Sequence, residues 1–522
     1  MQENNKTYWR GIEELNQSPE FVNTAKNEFS DNPSNDESGT YRRDFLKLMG
    51  FSLAAATLAA CETPVRKAIP YLNKPEDVDP TLPNWYSSTY VDGGDFCSIV
   101  VKTREGRPIK IEGNKNSSIT QGGISPRVGA SVLSLYDKER YRGPKIGDKN
   151  VAWDELDAQV IAKLKTISSS GKSIKIVSNT ILSPSLNKAI GEFIAQYPAA
   201  TIVTYDANSA AAIVEANNKS YGGNALPSFD FSKADVIVSF GADFLGTWLS
   251  PVEFNKQYAA GRRLGKSKKT MSRHYQFETT MSMTGANADF RSAIKPSQEG
   301  LAVANLYNLL ASKSGVSKLS VGEVKDIKFL QKAADDLLAS KGKSLVVSKS
   351  NDLNVQLIVN AINSLLGNYG AAVNAATPTY YRKGNDTDFT TFVEDVKAGK
   401  VGAVIFLGAN PVYNHPSGNI LKSALSKVDL TISLSDRPDE TTALCGFVAP
   451  DHHFLESWSD ANPKKGFYSL GQPVITPLFK TRQAIESLLS WAGNPTEAYL
   501  YVQSAWKSGV YPLQTKYLSL IH

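Results

Sequence analysis

The chain has 522 residues, with 57 Lys and Arg against 51 Asp and Glu, for a formal charge of +6. Its 41% hydrophobic and 21% charged residues are ordinary for a globular protein and exclude collagenous, low-complexity and wholly disordered classes. No stretch reaches the ~18 apolar residues of a membrane-spanning helix, and three cysteines exclude a disulfide framework and a four-thiolate cluster.

Residues 1–40 hold eight acids against three bases and read as an acidic N-terminal extension. The part after residue 61 carries 51 bases and 42 acids. Between them runs Tyr41-Arg42-Arg43-Asp44-Phe45-Leu46-Lys47, then thirteen mostly apolar residues, then Cys61. Arg42, Arg43, Phe45, Leu46 and Lys47 resemble a twin-arginine export signal, in which Tyr41 departs from the usual Ser or Thr. The apolar run is too short to span a bilayer and fits the hydrophobic region of a signal. Leu58-Ala59-Ala60-Cys61 closes it and resembles a lipobox, which makes Cys61 the expected lipidation site. Residues 41–61 therefore predict a protein exported by the twin-arginine route and lipid-anchored on the periplasmic side of the inner membrane.

Residues 62–85 contain five prolines without apolar periodicity and read as an extended tether. Residues 86–150 form a small β-rich domain. In it, Cys97–Lys102 and Pro108–Asn114 flank a Glu105-Gly106-Arg107 turn, a hairpin signal. Residues 151–492 alternate continuous apolar strands with helical patterns. The strands are Ser173–Ser178, Thr201–Tyr205, Ala234–Gly241, Ser344–Ser348, Val401–Leu407 and Leu430–Leu434, with a helix at Leu186–Tyr197. That pattern predicts two interleaved α/β units around parallel sheets. Residues 493–522 read as a C-terminal stub of a truncated chain. The basic run Arg262, Arg263, Lys266, Lys268, Lys269, Arg273 has no interleaved aromatics and reads as a solvated helix end and loop, so no nucleic acid is expected.

Parallel sheets bind ligands at the carboxyl ends of their strands. Here those ends read Gly241-Ala242-Asp243 and Gly408-Ala409-Asn410-Pro411. A glycine there either admits a phosphate or nucleotide or simply makes a tight turn.

Several stretches, in order, resemble the large subunit of the molybdopterin oxidoreductase superfamily. They are Glu112-Gly113-Asn114, Gly123–Arg127, Trp153-Asp154-Glu155, Ala234–Asp243, Ile294-Lys295-Pro296, Gly408–Pro411 and Asp436–Thr441. The resemblance implies an α/β molybdopterin-oxidoreductase-like fold and, in relatives, bis-molybdopterin guanine dinucleotide and a 4Fe-4S cluster. The departures are large. The four cluster positions fall on Tyr90, Gly93, Cys97 and Ser125, which makes residues 86–150 a degenerate iron–sulfur domain. The loop Asp206–Ser232 has no Cys, and its Ser209 and Ser220 sit in no ligand motif. Ser297-Gln298-Glu299 replaces the guanine-binding Gly-Thr-Asp.

No catalytic, cofactor-binding or metal-binding residue is therefore expected, nor any cofactor in this segment, and the emptied cleft is expected to be filled or collapsed. With the export signal, the chain resembles the N-terminal half of the B subunits of alternative complex III. That implies a non-catalytic scaffold in a quinol:electron-acceptor oxidoreductase. Its implied partners are iron–sulfur, c-type haem and quinol-oxidising membrane subunits, and the membrane itself through the lipid anchor. Two alternatives stay open: an active molybdopterin-dependent oxidoreductase, and a nucleotide-binding surface lipoprotein. His415, His452, His453, Cys445, Met271, Met281 and Met283 read as packing residues, and a Cys97–Cys445 disulfide stays open.

Overall fold

A computed structural model describes residues 82–513, apart from 94 and 267, together with Pro19. The chain divides into two units, residues 1–74 and 75–522, and the elements below belong to the second. Arg42, Arg43, Phe45, Leu46, Lys47 and Cys61 lie outside the described residues. Among the described residues no helix is long and apolar enough to cross a membrane.

The strands run in chain order. β1 (Asn84–Asp92), β2 (Asp95–Arg104) and β3 (Arg107–Gly113) form a small antiparallel sheet. Then come β4 (Lys145–Ile146), β5 (Lys149–Asn150), β6 (Ser173–Ser178), β7 (Ala200–Thr204), β8 (Leu226–Phe229) and β9 (Val236–Phe240). β10 (Arg273–Glu278), β11 (Phe290–Ala293), β12 (Ser344–Ser348), β13 (Val373–Thr379) and β14 (Val401–Leu407) follow. β15 (Leu430–Ser433), β16 (Phe447–Val448), β17 (Ser459–Lys464) and β18 (Phe467–Gly471) complete the set.

Two parallel sheets dominate, with helices interleaved. The larger has the order β5-β4-β16-β15-β14-β6-β7, and its five strands from β16 to β7 are mutually parallel. The smaller is β11-β10-β9-β12, parallel throughout. All seven residues of β14 are buried, as a strand covered on both faces requires. The helix Trp153–Ser169 lays Leu156, Val160, Leu164 and Ile167 on one face against that sheet. The helix Pro184–Gln196 starts where Ser183 Oγ accepts from the Leu186 N–H at 3.0 Å, with proline in its first turn. The helix Ala498–Gly509 lies within residues 493–522 and buries Ala498 and Tyr501 against Ala189 and Leu489.

The expected strands and the helix appear within a residue or two of their predicted bounds. A fourth sheet was not legible in the sequence. β18-β17-β13-β8 is antiparallel, and three of its strands read Leu-Pro-Ser-Phe, Val-Asn-Ala-Ala-Thr-Pro-Thr and Ser-Asp-Ala-Asn-Pro-Lys. Pro, Asn and Asp mask a strand signal. One expectation is corrected and one open question answered. Met271, Met281 and Met283 are 50%, 70% and 60% exposed, not packed. Cys97 and Cys445 are free thiols, not a disulfide.

Candidate functional site

Two cavities lie at the carboxyl ends of the strands. The first, of about 450 Å³, is lined by Asn179 and Thr180 after β6, Gly408 after β14, Ser435–Arg437 after β15 and Asp451–His453 after β16. The second, of about 510 Å³, is lined by Gly93, Cys97 and Ser125–Arg127 from the small sheet and the segment after it. Asp206–Asn208 after β7 and Gly246, Thr247 and Leu249 after β9 complete its wall. Asp92, Gly93 and Asn179 border both. The cleft has therefore not collapsed, which corrects the expectation. Both cavities open to solvent, and much of their polar wall is hydrogen-bonded within the protein, to side chains and backbone, so leaving them open strands few groups.

Behind the first cavity's wall runs an ionic network that reaches it through Asp436 and His453. Arg140, 3% exposed, donates to both Glu456 oxygens at 3.2 and 2.7 Å and to the Leu135 carbonyl at 3.1 Å. Glu456 also accepts from the N–H groups of His453 at 3.0 Å and Leu478 at 2.9 Å. These bonds hold its carboxyl below the usual range against the opposing effect of burial. Arg437 grips Asp436 in a bidentate pair at 2.9 and 2.8 Å and reaches Asp137 at 3.2 Å. Asp451 accepts from the N–H groups of His452 and Ala484 at 2.8 and 2.9 Å, and burial pushes its carboxyl up to about 7. His453 Nε2 lies 2.8 Å from Ser134 Oγ, and burial lowers its pKa to about 4. His452 Nδ1 lies 2.5 Å from Thr481 Oγ1. Each histidine thus has a structural partner, as does His415, whose ring packs 4.2 Å from Phe389.

Two of the stretches that carried the resemblance interlock here. Asn410 Oδ1 accepts from Thr441 Oγ1 at 2.7 Å, and its amide donates to Glu440 at 2.7 Å. The strand ends after β14 and β15 are thereby tied together.

At the second cavity the cluster positions come together but do not fit a cluster. Tyr90 and Cys97 are cross-strand partners, and the Ser125 N–H donates to the Cys97 sulfur. Cys97 is 1% exposed among Tyr90, Ile99, Val101 and Val128. Burial pushes its thiol up to about 12, so it stays protonated. Ser125 Oγ caps the helix Pro126–Ala130 by accepting from Val128 N at 3.2 Å. The Tyr90 ring stands edge-on to Phe454 at 5.2 Å. One thiol, one capping hydroxyl, one buried phenol and a glycine cannot replace four thiolates. Among the described residues no three His, Cys, Asp or Glu side chains converge on a metal-sized point.

The pterin side fits no better. Asp206 accepts from Thr180 Oγ1 at 2.7 Å and Gly384 N at 2.9 Å. Ser209 donates to Asp386 at 2.9 Å, and Ser220 meets Asn360 at 3.3 Å. At the guanine position Glu299 is buried, with Oε1 lacking a hydrogen-bond partner and its pKa raised by burial. Over Gly241 a side chain already sits: a Cβ there would lie 2.7 Å from Lys349 Cε.

Two mainly parallel sheets with a small antiparallel sheet ahead of them make a mixed α/β chain whose fold is molybdopterin-oxidoreductase-like. Over 514 residues it is 24% identical to the menaquinone reductase, molybdopterin-binding-like subunit of Nitratidesulfovibrio vulgaris, spanning 87% of this chain and 72% of that protein. Its fold is similar to that of acetylene hydratase from Pelobacter acetylenicus, with a TM-score of 0.61 and 12% identity over 77% of this chain and 68% of that one. No protein-family profile matches the chain.

Proposed function

We propose that this chain is a non-catalytic, molybdopterin-oxidoreductase-like scaffold subunit of a respiratory quinone-linked oxidoreductase, of the alternative complex III type. The observation that carries this reading is the donor set at Tyr90, Gly93, Cys97 and Ser125. The cluster's place in the fold is kept, and its chemistry is replaced by packing and capping. The likeness to a subunit of a menaquinone reductase supports the quinone-linked setting. On this reading the chain's work is to present surfaces to redox subunits, and electrons pass through those partners.

The same proposal places the chain on the periplasmic side of the inner membrane, exported through Arg42 and Arg43 and anchored through Cys61. Isolation of the tagged chain from detergent-solubilised native membranes tests it. Haem- and iron–sulfur-bearing subunits and quinol oxidation should co-purify, and mass spectrometry should find Cys61 acylated. Recovery as a lone soluble protein would refute the scaffold role.

A further inference from the structure

Neither crevice uses the hairpin end of the small sheet, yet that end is apolar and open. Leu82, Trp85, Tyr86, Ile109, Leu133 and Tyr136 are 37–70% exposed. Trp85 stands on one face of this end, opposite Lys102, and Tyr86 on the other, so the set wraps both faces of the sheet's end. Asn84 pairs with Thr103 and Thr103 with Pro108, so the start of β1 and the turn between β2 and β3 share one end. The Tyr136 hydroxyl donates to the Pro108 carbonyl at 2.9 Å, beside Ile109. Leu133 lies three residues before Tyr136, on the same side of its helical turn. Scattered single apolar residues need no explanation, but a gathered set marks an interaction surface.

Bases are interleaved with these side chains. Lys102 Nζ lies 5.6 Å over the Trp85 ring, and Lys102 pairs across the sheet with Lys110. Arg104 and Arg107 flank the turn. On the hairpin strands the acids at this end are Glu105 and Glu112, and Glu112 is held by Lys110 at 2.7 Å; beside Tyr136 stand Asp137, paired with Arg437, and the exposed Glu139. Aromatic rings beside Lys and Arg suit the boundary between lipid headgroups and acyl chains, and each base near an anionic leaflet adds attraction. Leu82, at this same end, follows Cys61 by a short stretch of chain. With Cys61 anchored as proposed, about twenty residues can reach at most roughly 70 Å, which keeps this end near a membrane.

We propose that the hairpin end of the small sheet seats on an anionic lipid surface. Amide hydrogen exchange of the full chain tests this. One arm adds vesicles of phosphatidylethanolamine with phosphatidylglycerol, the other vesicles of phosphatidylcholine alone. Protection should appear in residues 82–88 and 104–112 with the anionic vesicles only, and should fade with added salt. Reading these peptides separates the surface from insertion of residues 48–60. The variant Lys102→Gln/Arg104→Gln/Arg107→Gln/Lys110→Gln should lose vesicle partition by up to about a thousandfold. Leu133→Ser, at an exposed position, should weaken it too and guards against misfolding of the quadruple variant. Absent protection, equal protection on phosphatidylcholine, or protection by a purified partner subunit but not by vesicles would overturn the proposal.

Discussion

The two parallel sheets treat the same strand-to-glycine turn in opposite ways. After β14, Gly408 has φ +59° and nothing within 4 Å of where a Cβ would stand, and it borders the 450 Å³ cavity. After β9, Gly241 has φ +65°, but the stem of Lys349 lies across it. The larger sheet keeps an open crevice backed by a buried ionic network. The smaller one has a side chain where a ligand would approach the backbone. Fold and ligand chemistry therefore separate cleanly. Apolar strands between helices hold the architecture, and the turn residues decide whether a ligand can enter.

The largest expected effect breaks the buried network behind the open crevice. Arg140→Met leaves Glu456 charged and buried without its bidentate partner. It should destabilise the chain by about 3–5 kcal/mol, read as a lowered urea midpoint, because an uncompensated buried charge costs more than the pair contributes. Arg262→Met, whose partner Asp289 is partly exposed, should cost about 1 kcal/mol or less.

Next comes pH, where the two sheets should respond with opposite sign. Asp451, beside the open crevice, is raised to about 7 from an unfolded value near ~4. Its contribution is full below about pH 4 and is lost as pH rises through about 7. His274, on the smaller sheet, is lowered by burial to about 4, so its contribution is full above about 6.5 and is lost as pH falls through about 4. Asp451→Asn keeps an Oδ1 acceptor for both N–H groups and should remove the loss on the alkaline side, about 4 kcal/mol. Urea midpoints at pH 4, 6 and 8 read both signs. A flat difference between native and variant would contradict the assignment.

The smallest effect separates the glycines themselves. Gly408→Ala and Gly241→Ala should each cost about 1–2 kcal/mol in left-handed backbone strain. Only Gly241→Ala should be partly rescued by Lys349→Ala, with a coupling of about 0.5 kcal/mol in a double-mutant cycle.

Much of this contrast was legible in the sequence. Continuous runs such as Val401–Leu407 announced buried parallel strands, and Gly408-Ala409-Asn410-Pro411 marked a turn at a strand's carboxyl end, with ligand binding and a plain tight turn both open. The missing thiolates at Tyr90, Gly93 and Ser125 could be counted along the chain. Lys349 lying over Gly241 could not be foreseen, because the two are far apart in sequence and meet only through the pairing of β9 with β12. Nor could Arg140 and Glu456, separated by 316 residues. A buried pair leaves no local periodicity. The polar face of β10, where His274, Gln276 and Glu278 alternate and bond at 3.2 and 3.0 Å, hid a parallel strand behind an unusual composition.

On the proposed reading both crevices have lost their redox chemistry while the scaffold stands. The most direct test is the iron and molybdenum content of the purified full chain, with its visible absorption. Neither metal should exceed trace and no cluster absorption should appear, with Cys97 resisting alkylation until the chain unfolds, as a thiol at about 12 should. Stoichiometric iron or molybdenum bound to the folded chain would contradict that reading and restore the one of an active molybdopterin-dependent enzyme.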